Sequence, residues 1–133
     1  MRVVIDASVI VGAALKNDST PMRALLAVLE HHSIVLSTTV FTEISEVLGR
    51  QKFAAAVTPE RRQEILALLT TAATWIEPDL TVTDCVDPDD NKYLELAIAS
   101  GATVVVSSDR HLLQMHPWRG VAMLRPAEYL MRS

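Results

Sequence analysis

Asp6 closes the apolar run VVID, Asp109 follows the run TVVVSS, Asp90 opens a helix-like stretch after Asp87-Pro88-Asp89, and Glu43 stands among apolar residues at helical spacing. Both apolar runs read as buried β-strands that end in an acid, and in open α/β sheets ligands bind beyond the carboxyl ends of the strands. Asp and Glu offer only oxygen. With no His or Cys cluster at ligand spacing, such a donor set favours a hard divalent cation, Mg²⁺ or Mn²⁺, over zinc. Carboxylates brought close together repel, and would protonate or move apart unless a cation filled the space between them. Cations held this way can make a hydroxide nucleophile from water and stabilise the charge that develops as a phosphodiester is cut.

The elements that must position these acids alternate between strand and helix. After Val3 to Asp6 comes an apolar stretch from Val9 to Leu15, and then a loop from Asn17 to Thr20. Thr20 followed by Pro21 is expected to cap a helix running from about Pro21 to Glu30. Ser33 to Leu36 reads as a short strand. Ser37-Thr38-Thr39 supplies capping hydroxyls for a helix with Phe41, Ile44, Val47 and Leu48 on one face and Glu43 in its first turns. Thr58-Pro59-Glu60 starts an amphipathic helix that reaches about Ala73, and Trp75 to Val86 suggests a short strand and a polar turn. The helix begun at Asp87-Pro88-Asp89-Asp90 should end at Gly101, a left-handed C-cap, before a strand from Thr103 to Val106. A helical turn from His111 to Gln114, a strand from Val121 to Leu124 and a helix from Pro126 complete the pattern. Such alternation predicts a parallel sheet with helices on both faces.

The 133 residues suit a single domain over residues 1–133 with a real core. Half the residues are apolar and the mean hydropathy is +0.25, which favours a homodimer or higher homo-oligomer that covers extra apolar surface. A net charge of −4 gives no overall basic field, so a nucleic-acid partner would need a local patch or metal ions. The lone Cys85 cannot form an intrachain disulfide and is expected as a small buried residue in a reducing compartment. Asp6 interrupts the apolar N-terminal stretch, which is too short to span a bilayer, and a cytoplasmic protein with no membrane partner is expected.

The segments VVIDASVIV, TEISEVLGRQKF, DPDDNKYLELAIASGATVVVSSDRHLL and RPAEYL resemble the PIN-domain family. The resemblance is to its bacterial branch of toxin components of toxin-antitoxin systems, the PilT N-terminus-like ribonucleases. It covers nearly the whole chain, and the block from DPDD to SSDRHLL is its most specific part. It implies a three-layer α/β/α sandwich around a central, mostly parallel sheet. It also implies an endoribonuclease dependent on Mg²⁺ or Mn²⁺, with RNA as substrate and an antitoxin protein as partner. The family's four acids fall on Asp6, Glu43, Asp90 and Asp109, which are the expected catalytic and metal-binding residues. Asp90 is taken over Asp87 and Asp89 because the third acid of the family pattern opens the helix that here ends at Gly101; Asp87 and Asp89 are left as helix caps. Two departures stand out. Where Asp-Thr-Asn is typical of the family, this chain has Asp6-Ala7-Ser8, which keeps a hydroxyl able to orient a carboxylate but loses the reach of an amide. The usual Thr-Gly-Asp is Ser107-Ser108-Asp109.

Each acid has a plainer role open to it: Asp6, Asp90 and Asp109 as caps of the turns they precede, and Glu43 as a solvated helix residue with Glu46 a turn away. Of the basic residues, Arg50 and Lys52 follow the Glu43 helix and could contact RNA phosphates, while Lys16, Arg23, Lys92 and Arg110 read as surface charges. His31, His32, His111 and His116 are scattered, and a surface or loop role is expected of each. Trp75 and Trp118 are expected to pack rather than to stack on bases. A competing function is a catalytically weak PIN-fold RNA-binding or protein-interaction module, suggested by Ala7-Ser8. A receiver-like phospho-acceptor is disfavoured, because the last strand leads into Arg125-Pro126 with no lysine after it.

Overall fold

The computed structural model describes residues 1–132. Its centre is a five-stranded, all-parallel sheet of β1 (Arg2–Ile5), β2 (Ser33–Leu36), β3 (Thr74–Trp75), β4 (Val104–Val106) and β5 (Ala122–Leu124), in the order β3-β2-β1-β4-β5. Seven α-helices among the described residues complete a three-layer sandwich: α1 (Ala7–Leu15), α2 (Thr20–His31), α3 (Thr38–Leu48), α4 (Pro59–Ala72), α5 (Asn91–Ser100), α6 (Arg110–Leu113) and α7 (Pro126–Arg132). Strands buried on both faces carry continuous apolar runs, and Val3, Val4, Ile5, Val105 and Val106 are all within 1% of complete burial.

The register explains why distant acids meet. Val3 lies beside Val104, Val4 beside Val105 and Ile5 beside Val106. The two strands therefore end abreast, and the next residue on the first, Asp6, donates its backbone N–H to Val106 O at 2.9 Å. From β1 the chain builds outward to β2 and β3, then crosses back over the sheet through α5 to β4 and β5. The carboxyl ends of β1 and β4 thus flank the point where the winding reverses, which is where such sheets leave a crevice.

Helix starts largely follow the capping chemistry. Ser37 Oγ accepts from Val40 N at 3.1 Å to cap α3, and Thr58 Oγ1 accepts from Arg61 N at 3.1 Å to cap α4. The cap of α2 is Ser19, not Thr20: Ser19 Oγ accepts from Met22 N at 3.2 Å and donates to Gly12 O at 3.3 Å, tying the helix start to α1. Thr20 is therefore the first helical residue and Pro21 the second, where its missing N–H is still harmless. Gly12 lets these helices approach, because a Cβ there would stand 2.8 Å from Pro21 Cγ. Gly101 ends α5 with φ +70 in the left-handed region, as its position foretold. Between α4 and Val86, only Thr74–Trp75 forms a strand. Cys85 and Trp118 are both buried, while Trp75 is 41% exposed and packs edge-on against Phe41.

Candidate acidic site

Asp6 leaves β1 and caps α1, accepting from Ser8 N at 3.3 Å. The capping role and a site role coexist, because its other carboxylate oxygen accepts from Ser107 Oγ at 2.5 Å and from Ser8 Oγ at 3.0 Å. The hydroxyl at Ser8 thus does orient a carboxylate. Ser107 works in both directions, since its Oγ also accepts from Asp109 N at 2.9 Å. One serine therefore links the acids at the ends of β1 and β4. Asp6 is 4% exposed, and burial raises its carboxyl above the ordinary range despite these donors.

Asp109 caps α6 by accepting from His111 N at 2.8 Å. Asp90 behaves differently. It occupies the residue before α5 but makes no capping hydrogen bond; the cap is Asp87, whose Oδ1 accepts from Asp89 N at 3.0 Å in a 3₁₀ turn over Pro88–Asp90. Asp90 is 6% exposed, and among the described residues its Oδ2 has no hydrogen-bond partner. Burial, the close approach of the Asp109 carboxyl, and the charges of Asp109, Asp6 and Asp87 push its carboxyl up to about 8. Asp87, Asp90, Asp109 and His111 each offer one ligand atom, all within 4.8 Å of one another. A buried carboxylate oxygen with no donor, set among other acids, is satisfied by a cation more simply than by any side chain present.

Glu43 takes a different position from the other three acids. One of its oxygens accepts from Lys92 Nζ at 2.5 Å and the other from the Tyr93 hydroxyl. Tyr93 is fully buried and also accepts from Ala7 N at 3.2 Å, so it connects Glu43 to the residue after Asp6. Burial, followed by the charge of Asp6 and the bond to Glu43, holds the phenol well above its ordinary range, keeping it a donor. Beside Glu43 opens a polar groove of about 500 Å³, lined by Thr38, Thr39, Thr42, Arg50 and Lys92 among others. A less polar cavity of about 440 Å³ near Met1, Thr103 and Tyr129 lies by the amino ends of β1 and β4, and none of the acids lines it.

Of the four acids expected from sequence, Asp90 and Asp109 share one cluster, Asp6 adjoins it through Ser107, and Glu43 is bound to Lys92 and Tyr93. Asp87 and His111 join the cluster without having been singled out as ligands, and Lys92 is an ion-pair partner rather than a free surface charge. The signal for Asp87 lay in its spacing, because Asp90 N donates to Asp87 O at 3.0 Å and the turn so closed brings residues three apart together. His111 had only its nearness to Asp109.

A parallel sheet with carboxylates gathered at the reversal of its winding defines a class of α/β proteins with an acidic site. Within that class the chain belongs to the PIN domain family, whose pattern it matches over residues 2–111. PIN domains are generally nucleases that use divalent metal ions. No curated protein matches the sequence. Among solved structures, VapBC2 from Rickettsia felis, bound to a DNA fragment from their promoter, is similar with a TM-score of 0.62. It is 14% identical, with 94% of this chain and 98% of that chain covered. PAE2754 from Pyrobaculum aerophilum is similar with a TM-score of 0.58 at 20% identity, with 98% of this chain and 88% of that chain covered. Both likenesses are of fold. Among the described residues no helix is long and apolar enough to cross a membrane.

Proposed function

We propose that this protein is a metal-dependent endoribonuclease, acting as one cytoplasmic domain, with Asp6, Glu43, Asp90 and Asp109 as its catalytic and metal-binding acids and Mg²⁺ or Mn²⁺ as its ion. The observation that carries the reading is the buried, unpartnered Oδ2 of Asp90 inside the cluster that Asp87, Asp109 and His111 complete. A divalent cation held there would polarise a phosphodiester and activate water. The chain's own residues do the positioning. Ser107 holds Asp6 and the Asp109 backbone in one frame, and Ser8 braces the same Asp6 oxygen. Tyr93 and Lys92 fix Glu43 at the margin of the polar groove. There Arg50 can take a phosphate of an RNA strand, a contact that positions without reading sequence.

A toxin role controlled by an antitoxin protein is supported by the sequence's resemblance to toxin components and by the fold shared with VapBC2. Self-association is supported by Leu15 and Leu26, 41% and 50% exposed on the adjoining helices α1 and α2. The test is cleavage of a mixed RNA panel in Mg²⁺, in Mn²⁺ and in EDTA, with Asp6→Asn and Asp90→Asn proteins prepared in parallel. Metal-dependent cutting lost in both variants is expected. Wild-type protein that cuts no better than the variants would replace the nuclease with a binding module of the same fold.

A further inference from the structure

One member of the acid cluster is not a carboxylate. His111 is not one of the four acids, yet it contributes a ligand atom to the group that contains Asp90 and Asp109. Its placement is built into the backbone: His111 N donates to Asp109 Oδ1 at 2.8 Å, closing the turn that carries the imidazole to the side of the Asp109 carboxylate. The ring Nδ1 lies 3.7 Å from the same oxygen. Behind the turn, Cys85 Sγ lies 3.8 Å from His111 O, and Asn91 Oδ1 accepts from Cys85 N at 2.9 Å, so the loop before Asp87 is tied both to α6 and to α5. Asp90 Oδ2 supplies the independent sign of a missing partner, being buried and without a donor among the described residues.

Resting on the reading of the cluster as a metal centre, we propose that His111 supplies a nitrogen donor to the cation held by Asp87, Asp90 and Asp109, and that the mixed donor set makes the site select Mn²⁺ over Mg²⁺. Mg²⁺ favours an all-oxygen octahedron and keeps much of its water. Imidazole is a donor for first-row transition-metal ions; Mn²⁺ shares the oxygen preference of Mg²⁺ but, as one of those ions, gains more from a nitrogen in its shell. Three aspartates alone would make that distinction only weakly. The imidazole strengthens it.

The experiment is metal binding without RNA: titration calorimetry of Mn²⁺ and of Mg²⁺ to the full chain, and pulsed electron paramagnetic resonance of the Mn²⁺-loaded protein. Wild type, His111→Ala, His111→Gln and Asp90→Asn are compared, with circular dichroism confirming that each is folded. A ¹⁴N coupling to bound Mn²⁺ is expected in the wild type and absent from both His111 variants. Mn²⁺ affinity should fall about tenfold or more in His111→Ala while Mg²⁺ affinity changes little. If Asp90→Asn loses Mn²⁺ but the His111 variants keep both the affinity and the nitrogen coupling, the role of His111 is overturned and the acidic metal centre stands. If Asp90→Asn binds Mn²⁺ as the wild type does, the metal centre itself falls, and the proposal with it.

Discussion

Replacing Asp90 by asparagine should stabilise the metal-free fold while removing its affinity for metal. The wild-type carboxyl is pushed up to about 8, against 3.8 for an ordinary aspartate. A carboxyl raised on folding binds its proton more tightly in the native than in the unfolded chain. The contribution of Asp90 to stability is therefore undiminished below about pH 4 and is lost as the pH climbs towards 8. At pH 7 the gap is about three pH units at about 1.4 kcal/mol each, or about 4 kcal/mol. The polar groove lies nearby, and relaxation with water entry should reduce the realised cost to about 2 kcal/mol. Asparagine keeps the shape of the side chain, sheds the charge, and brings an amide donor beside Asp109. In a protein of this size, about 2 kcal/mol corresponds to a rise in Tm of roughly 5–10 °C. The assay is thermal unfolding of both proteins in EDTA at several pH values between about 4 and 8, the window the two carboxyl values define. The advantage of the variant should be near zero at the acid end and grow steadily with pH. A variant less stable than wild type near neutrality, or an advantage that does not shrink in acid, would refute charge crowding at Asp90.

Tyr93→Phe removes the donor to Glu43 and the acceptor of Ala7 N. The buried N–H it leaves unpaired should lower stability by about 1–3 kcal/mol in urea unfolding, and an unchanged midpoint would contradict the bridging role. Gly12→Ala places a Cβ 2.8 Å from Pro21 Cγ. Despite alanine's better helix propensity, calorimetry should show a net loss of about 1–2 kcal/mol, and a gain would show that the α1 and α2 pair gives way freely. Ser107→Ala deletes the 2.5 Å bond to Asp6 and the acceptor of Asp109 N. About 2 kcal/mol of stability should go with it, together with weaker metal binding by titration; intact binding would mean that Asp6 and Asp109 are held by other means.

The alternation of strands and helices, the ends of α4 and α5 and the buried character of β1 and β4 were all legible, because each rests on a strong local signal: a proline after a capping hydroxyl, a glycine at a left-handed position, an unbroken valine run. Helix α1 gave only an apolar stretch. It is buried at Ala7, Val9, Ile10, Val11, Ala13 and Ala14, so it lacks the polar face that makes a helix visible in sequence. Ser19 and Thr20 are both fit to cap, and only the further bond from Ser19 to Gly12 O selects between them.

The acids at strand ends were readable for the same local reason, while their mutual arrangement was not. The meeting of Asp87 and Asp90 depends on the turn that Asp90 N closes onto Asp87 O, and the capture of Glu43 depends on Lys92 and Tyr93, which are 49 and 50 positions away. Only the assembled fold brings those groups within reach of one another. His111 is the sharpest example, since an isolated histidine in sequence carries no sign of what its neighbours in space will be.

The bond from Ser107 to Asp6 spans 101 positions, and it sets a clock on biosynthesis. At the pace of translation, about 5–20 residues per second, the first strand waits roughly 5–20 s before the strand that completes the cleft has been made. During that interval β1 has no neighbour on its β4 side, and a growing or stalled chain that stops short of Ser107 lacks both that neighbour and the paired acids. The acidic cleft therefore exists only in chains that have been extended past Ser107.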